Sequence, residues 1–151
     1  MIIIQQLITA MLGSLGFALI FHVSKKYLIS AAFGGFVCWG VYLLAAEFLS
    51  GFFFAPFVAA VVSTLYSEIS ARCFKAPTTV FLIPSVIPLI PGSSLYYAMH
   101  YAVSGDYLQF KSFGTQTALV AFGMAVGISL VSGIFAVVFR TIRVKHAMPD
   151  K

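Results

Sequence analysis

The sequence predicts an all-α integral membrane protein with five transmembrane helices, the fourth broken by proline and glycine near the bilayer midplane. Of its 151 residues, 61% are hydrophobic and only 9% are charged, whereas a soluble domain is about half apolar and a quarter charged. So few charges cannot cover the surface that a domain of this size leaves in water. A soluble enzyme is therefore excluded, and the net charge of +5 does not indicate a nucleic-acid-binding protein.

Five apolar runs follow one another without a domain-scale linker, and a membrane helix needs about 20 residues. We therefore predict one transmembrane domain over residues 1–151, with spans at about 2–21, 27–46, 52–69, 78–103 and 117–139. The first run lacks the positively charged start of a signal peptide, so we expect it to be a retained span. Cys38 and Cys73 lie far apart without metal or redox spacing, and we expect packing residues and no cofactor or metal.

The distribution of lysine and arginine supports five spans, because these residues concentrate in cytoplasmic loops. Five spans put eight of the nine on one side: Lys25, Lys26, Arg72, Lys75, Arg140, Arg143, Lys145 and Lys151. Lys111, in a predicted loop over Ser104–Gln116, lies on the other side. If the fourth run were a re-entrant hairpin, the division would fall to four against five. We therefore expect an outer N-terminus and a cytoplasmic C-terminus.

Two pairs of glycines predict close helix packing, because small residues let helix backbones approach in lipid. Gly13 and Gly16 lie in the first span, beside Gln6 and Thr9. Gly123 and Gly127 lie in the fifth. For each pair, packing within the chain is favoured over packing against another chain.

The fourth run contains FLIPSVIPLIPGSSLYY at residues 81–97. Its prolines lack an N–H, which is expected to leave the carbonyls of Val80, Pro84 and Ile87 without helical partners. Such backbone survives at membrane depth only inside protein or beside a watery cavity, and discontinuous helices often form transporter binding sites. We assign eight residues to a substrate path: Pro84, Ser85, Pro88, Pro91, Gly92, Ser93, Ser94 and Tyr97.

The break also supplies dipoles for a small zwitterion or acid. The half-helix beginning near Ser93 and Ser94 presents N–H groups to a carboxylate, and the half ending near Ile87 presents carbonyls to an ammonium group. A polar stripe then continues through Ser93, Tyr96 or Tyr97, His100 and Ser104. The alternative is a proline-kinked structural helix whose neighbours satisfy the freed groups.

The acidic residues lie near the ends of the spans. Glu68 precedes Arg72 by four residues, which predicts either a helical ion pair of about 0.2–0.5 kcal/mol or a carboxylate for proton handling. We assign proton handling or gating to Glu68, Arg72 and His100, and an interfacial anchor role to Glu47. Because no charge lies near a midplane, we expect the chain to need a second subunit or a homo-oligomer.

The residues from Glu68 to Gly92 resemble the signature of the threonine/serine exporter family, specifically the small subunit of its split, two-protein bacterial form. The resemblance is carried by Ala71-Arg72, Lys75-Ala76-Pro77, Val80-Phe81, Pro84, Ile87-Pro88-Leu89 and Pro91-Gly92. The segment AFGMAVG (Ala121–Gly127) is similar to the glycine-bearing last helix of the family. Ser93 and Ser94 stand where many relatives are expected to have glycine or a small apolar residue.

The resemblance implies a subunit of a proton-driven exporter of threonine and serine in the bacterial inner membrane, working with a larger partner of the same family. It leaves open a subunit of a dicarboxylate (succinate) exporter. A non-transporting scaffold or regulatory subunit is a further alternative. No enzyme is expected, because no Ser/His/Asp, metal or paired-carboxylate constellation can be assembled from this sequence.

Overall fold

The computed structural model describes residues 2–147, with side chains through residue 139. Its helices are Ile2–Ile20 (α1), Lys25–Phe48 (α2), Phe54–Phe74 (α3), Thr79–Val86 (α4), Gly92–Ser104 (α5) and Tyr107–Ala147 (α6), with a 3₁₀ turn at Ile87–Leu89. No strand occurs among the described residues. Four helices are long and apolar enough to cross a membrane, and the bent pair made by Thr79–Leu89 and Gly92–Ser104 is a fifth when counted as one span. The all-α membrane fold class is therefore confirmed.

The distribution of residue sizes is that of a protein surrounded by lipid. Small residues such as Ala18, Ala31 and Ala59 fill the interior and are fully buried. Large apolar residues point outward, and Ile29 and Phe48 are 79% and 82% exposed. Lipid gives no hydrophobic force that would draw large side chains inward, so close packing of small residues holds the helices together.

Helix α2 lies at the centre and touches two neighbours through adjacent glycines. A Cβ added at Gly34 would lie 2.9 Å from the Cβ of Ser85 in α4, and one added at Gly35 would lie 2.6 Å from the Cβ of Ser14 in α1. Neither distance is possible for a real side chain. Gly34 and Gly35 therefore set how closely α4 and α1 approach α2.

The predicted intrachain packing of Gly123 and Gly127 is confirmed. A Cβ at Gly123 would lie 2.5 Å from the carbonyl oxygen of Phe53, and one at Gly127 would lie 2.8 Å from that of Phe57. These contacts form one end of the interface between α3 and α6. We call this interface the α3–α6 seam.

The same prediction is wrong for Gly13 and Gly16. Among the described residues, no atom of another helix lies within 4 Å of a Cβ added at either position. The contact of α1 with α2 instead uses the face that carries Ser14 and Ala18, which are fully buried. The face of α1 that carries Gly13 is open.

The start of α2 and the end of α3 place four basic residues at one end of the bundle, which we call the basic end: Lys25, Lys26, Arg72 and Lys75. Aromatic contacts hold it together, because the ring of Tyr27 lies 5.6 Å from that of Phe74 and 5.5 Å from that of Phe81. Helix α6 continues to Ala147, so Arg140, Arg143 and Lys145 of the predicted basic tail lie within this helix. Its side chains, from Arg140 onward, lie outside the described residues.

The predicted loop over Ser104–Gln116 is wrong, because α6 begins at Tyr107. Gly105 ends α5 in the left-handed conformation, with φ of 77°, as a glycine that follows a helix commonly does. Asp106 then caps α6, since its Oδ1 accepts a hydrogen bond from the N–H of Gln109 at 3.2 Å. Gly105 ends α5 and the adjacent Asp106 begins α6, so the connection between these helices is only two residues long. Helix α3 also extends past the predicted end of its span, to Phe74.

Candidate functional site

The fourth span breaks at Ile90 and Pro91. Helix α4 and the 3₁₀ turn Ile87–Leu89 precede the break, and α5 follows with a bend of 56°. Ile90 is extended, with φ −60° and ψ 122°, because the ring of a following proline disfavours the helical region. Ile87, which precedes Pro88, stays in the helical region with φ −50° and ψ −44°, so of these two prolines only Pro91 marks the break.

The backbone at the break satisfies part of its own hydrogen bonding. The carbonyl of Ile87 accepts the N–H of Ile90 at 3.1 Å, and the carbonyl of Ile90 accepts the N–H of Gly92 at 2.7 Å. The expectation that the Ile87 carbonyl lacks a partner is therefore wrong: a shorter 3₁₀ bond replaces the α-helical bond that Pro91 cannot make. Helix α5 starts without a side-chain cap, so its first N–H groups remain suited to an anionic group.

The break lies halfway along the bundle. Leu89, immediately before it, is buried in a cluster with Cys38, Ala59 and Ala60. Cys38 is in the middle of α2, so the break lies level with the centre of this helix. Ile90 is 53% exposed, so the broken backbone borders the outside of the chain.

An open groove of about 400 Å³ runs beside the break. This volume lies within the range of about 300–1,000 Å³ typical of small-molecule sites. Three elements form its walls: α1, the middle of α2 and the 3₁₀ turn. Its lining residues are Gln6, Thr9, Ala10, Gly13, Trp39, Ile87 and Pro88.

Trp39 supplies an unused hydrogen-bond donor in this groove. Its indole Nε1 is buried and has no partner among the described residues. The ring stacks on Tyr42, with centroids 4.8 Å apart, which fixes its orientation. A buried donor without a partner costs about 1–3 kcal/mol.

Of the other predicted path residues in α4 and at the start of α5, two serines are engaged within the chain. Ser85 is fully buried against Gly34, and its hydroxyl donates to the carbonyl of Phe81 at 2.6 Å. The hydroxyl of Ser94 donates to the carbonyl of Pro91 at 3.2 Å. Pro84 is fully buried inside α4. Only Pro88 among the predicted path residues lines the groove.

The predicted polar stripe lies on the exposed side of α5. Ser93 and Ser104 are exposed, and Tyr96 is 67% exposed. The ring of Tyr96 is parallel to that of His100, with centroids 6.4 Å apart. Tyr97 instead leans on α6, with its ring 5.4 Å from that of Phe113.

The predicted helical pair is formed at the basic end. Oε2 of Glu68 lies 2.6 Å from Nη1 of Arg72, and the same guanidinium also contacts the carbonyl of Glu68. Glu68 is 8% exposed. Three hydroxyl residues nearby on α3, Ser63, Thr64 and Ser67, are fully buried, so Glu68 borders a polar strip inside the bundle.

Of the three residues assigned to proton handling, Glu68 and Arg72 meet, but His100 lies far from both. Arg72 contacts Phe135 of α6, whereas Tyr101, the neighbour of His100, contacts Phe113 of the same helix. Phe113 and Phe135 are 22 residues apart in α6, which at 1.5 Å per residue is about 33 Å. His100 therefore cannot exchange a proton directly with Glu68.

Sequence reasoning missed the residues of α1 and α2 that complete the groove. Gln6 and Thr9 were noted only as neighbours of a glycine face, and Trp39 was not singled out. One signal was present. Tryptophan in membrane proteins concentrates at the bilayer interfaces, and Trp39, the single tryptophan of the chain, lies in the middle of α2.

The fold and the site together define an α-helical membrane protein with a discontinuous span beside a groove, as in many transporters. The family model described as Threonine/Serine exporter, ThrE matches residues 6–134. This match covers most of the chain, and the chain belongs to the threonine/serine exporter family, which is a family of transporters. The resemblance of the sequence to this family is thereby confirmed. No solved structure matches the chain.

Proposed function

We propose that this chain is one subunit of a proton-driven exporter of threonine and serine in the bacterial inner membrane, and that a larger subunit of the same family completes it. The observation that carries the proposal is the broken fourth span beside the groove. The first N–H groups of α5 suit the carboxylate of an amino acid, and the carbonyls before the break suit its ammonium group. Pro88, Pro91, Gly92 and Ser93 border this path.

The exposure of the break supports a second subunit. Non-helical backbone and polar side chains are costly against lipid, yet Ile90 is 53% exposed and Gln6 and Thr9 are exposed beside it. The open glycine face of α1 borders the same groove. A transmembrane helix of the larger subunit, packed on this face, would turn the open groove into a closed path.

Glu68 is the carboxylate proposed to handle the proton. It lies at the basic end, borders the buried hydroxyls of α3 and is held by Arg72. Positive loops orient toward the cytoplasm, so the basic end would face the cytoplasm and the N-terminus the outside. In this arrangement Glu68 meets the path at its inner mouth.

The efflux of labelled threonine, serine and succinate tests the activity. Cells would express this chain alone, the candidate larger subunit alone, or both. We expect efflux of threonine and serine only with both chains. Preferred efflux of succinate would mean that the substrate class is dicarboxylates and not threonine and serine. Efflux from this chain alone would indicate a homo-oligomer. No efflux with both proteins in the membrane would favour the alternative of a non-transporting scaffold or regulatory subunit.

Replacing Pro91 and Gly92 with alanines tests the path. The double variant lets α4 and α5 join into a continuous helix, and we expect efflux to be lost while membrane insertion is kept. Pro77→Ala is the matched control, because it changes an exposed proline in the loop between α3 and α4. Normal efflux from the double variant would remove the break from the transport path.

Glu68→Gln tests the proton step, with Glu47→Gln as the control because Glu47 is exposed near the end of α2. The amide keeps the shape of the side chain but cannot bind and release a proton near neutral pH. We expect efflux driven by a pH gradient to fall at least tenfold for Glu68→Gln and to stay unchanged for Glu47→Gln. Equal efflux rates for the two variants would mean that Glu68 serves only as the structural ion-pair partner of Arg72.

The fluorescence of Trp39 tests where the partner docks. Brominated lipids quench tryptophan on contact, so quenching should be strong for the chain alone and weaker in the complex. A Trp39→Phe chain in the same complex supplies the background from the partner's tryptophans. Equal quenching of Trp39 in the isolated chain and in a verified complex would place the partner on another face.

A further inference from the structure

Arg72 makes a second contact, across the α3–α6 seam, that the ion pair does not account for. Its guanidinium carbon lies 4.6 Å from the ring centroid of Phe135 and 3.9 Å from that of Phe139. The two rings are one helical turn apart on α6 and nearly parallel, at 15° with centroids 6.1 Å apart. We call Arg72, Phe135 and Phe139 the aromatic clamp.

The chemistry of arginine suits this arrangement. A guanidinium is planar and weakly hydrated, and it can lie against aromatic rings while its N–H groups bond a carboxylate. Arg72 does both, because Nη1 bonds Glu68 at 2.6 Å while the rings of α6 contact its carbon. Its side chain is 37% exposed, so the rings replace part of the water around the charge. The clamp therefore fixes the guanidinium on Glu68 from the side of α6.

The two ends of the α3–α6 seam are held in different ways. Toward the end away from the clamp, Gly123 and Gly127 touch the backbone of α3 directly, and Val131 is buried between the two ends. At the basic end, the side chain of Arg72 reaches from α3 to two rings of α6. Backbone contacts resist separation along a whole surface, whereas a side-chain clamp opens when a few torsions change.

We infer that Phe135 and Phe139 are positioning residues: they hold Arg72 against Glu68 and keep the basic end of the α3–α6 seam closed. When the clamp opens, the basic half of α6 swings from α3 about the Gly123–Gly127 contact. As a gate, this movement rests on the proposed transport function. The movement itself does not depend on that function, and the experiment measures it directly as a distance between α3 and α6.

The experiment measures the distance between spin labels on Cys73 and on an introduced cysteine, Ala136→Cys, by pulsed electron paramagnetic resonance in lipid nanodiscs. Cys73 lies beside Arg72 on α3 and is exposed, and Ala136 is exposed on α6. Cys38→Ala removes the other thiol. Phe135→Leu/Phe139→Leu removes both rings and keeps the residues apolar. Phe139→Leu alone is the milder variant, because Phe139 is 42% exposed.

Two variants serve as controls. Phe122→Leu makes the same change toward the other end of the seam, where the ring lies 5.9 Å from that of Phe53. Phe139→Tyr keeps an aromatic ring, so it should preserve the clamp. Tyrosine keeps both the volume and the ring face of phenylalanine, so this variant controls for substitution at the position as such.

The leucine variants should shift the distance distribution to longer values, the double variant more than the single one, while Phe122→Leu and Phe139→Tyr keep the parent distribution. Unchanged distances in correctly inserted leucine variants would overturn the clamp. An equal shift in Phe122→Leu would overturn it too, because the seam would then loosen as a whole. A shift in distance without any change in efflux would keep the clamp and count against the proposed function at this end.

Discussion

Two glycine pairs with similar spacing have opposite environments in this protein. Gly123 and Gly127 in α6 lie so close to the backbone of α3 that neither has room for a Cβ. Gly13 and Gly16 in α1 have no neighbour within 4 Å of that position. Small residues thus indicate that a helix can approach closely, but they do not say which helix approaches, or from which chain.

The position of each pair in the fold explains why only one pair is in contact. The α6 pair faces the start of α3 within the same bundle, so its close approach is already used. Gly13 of the α1 pair lines the groove that also contains Trp39 and Pro88. If the proposed partner covers this groove, both pairs serve the same purpose, one within the chain and one between chains.

The largest expected effect comes from Gly127→Val, because the new side chain would overlap the carbonyl of Phe57 and the backbone cannot retreat. Overpacking costs about 1–3 kcal/mol or more, and here α6 must also move from α3. We expect a large loss of thermal stability in detergent, followed by the fluorescence of Trp39. A melting temperature equal to that of the parent would mean that the α3–α6 seam is looser than described.

A smaller loss of thermal stability is expected for Gly34→Ala, and a second substitution should restore part of it. Its Cβ would collide with the hydroxyl and Cβ of Ser85, which are side-chain atoms and can be removed. Gly34→Ala/Ser85→Gly should therefore recover part of the stability that Gly34→Ala loses, with a coupling of about 0.5–3 kcal/mol. Additive losses in this double-mutant cycle would mean that the two helices do not meet at these residues.

The smallest effect on the isolated chain is expected for Gly13→Leu. No described residue of another helix lies within 4 Å of a Cβ at this position, so the thermal stability should stay within about 0.5 kcal/mol of the parent. Association with the larger subunit should instead be lost, measured by co-purification from cells that express both. A matched Gly133→Leu variant, on an exposed part of α6 with nothing within 4 Å, should co-purify normally. Normal co-purification of Gly13→Leu would count against the open face of α1 as the interface.

Parts of the site were predictable because they depend on local chemistry. Pro91 disfavours the helical region for Ile90, so a break in this run could be predicted from the residues. Which proline breaks the span could not, because Ile87, which precedes Pro88, stays helical. The pair of Glu68 and Arg72 follows from helical spacing. The groove could not be predicted in this way, because Gln6, Trp39 and Pro88 are distant in sequence and meet only when α1, α2 and the broken span pack.

The sequence by itself determined the membrane environment, the all-α class, the span that breaks and the family. These properties depend on composition, on the covalent geometry of proline and on a local run of residues. Only the tertiary structure decided which glycines are in contact, that His100 lies about 33 Å from the level of Arg72, and that Phe135 and Phe139 hold Arg72. The physical reason is that lipid lets a helix turn almost any apolar face outward, so periodicity leaves its partners open until the helices pack.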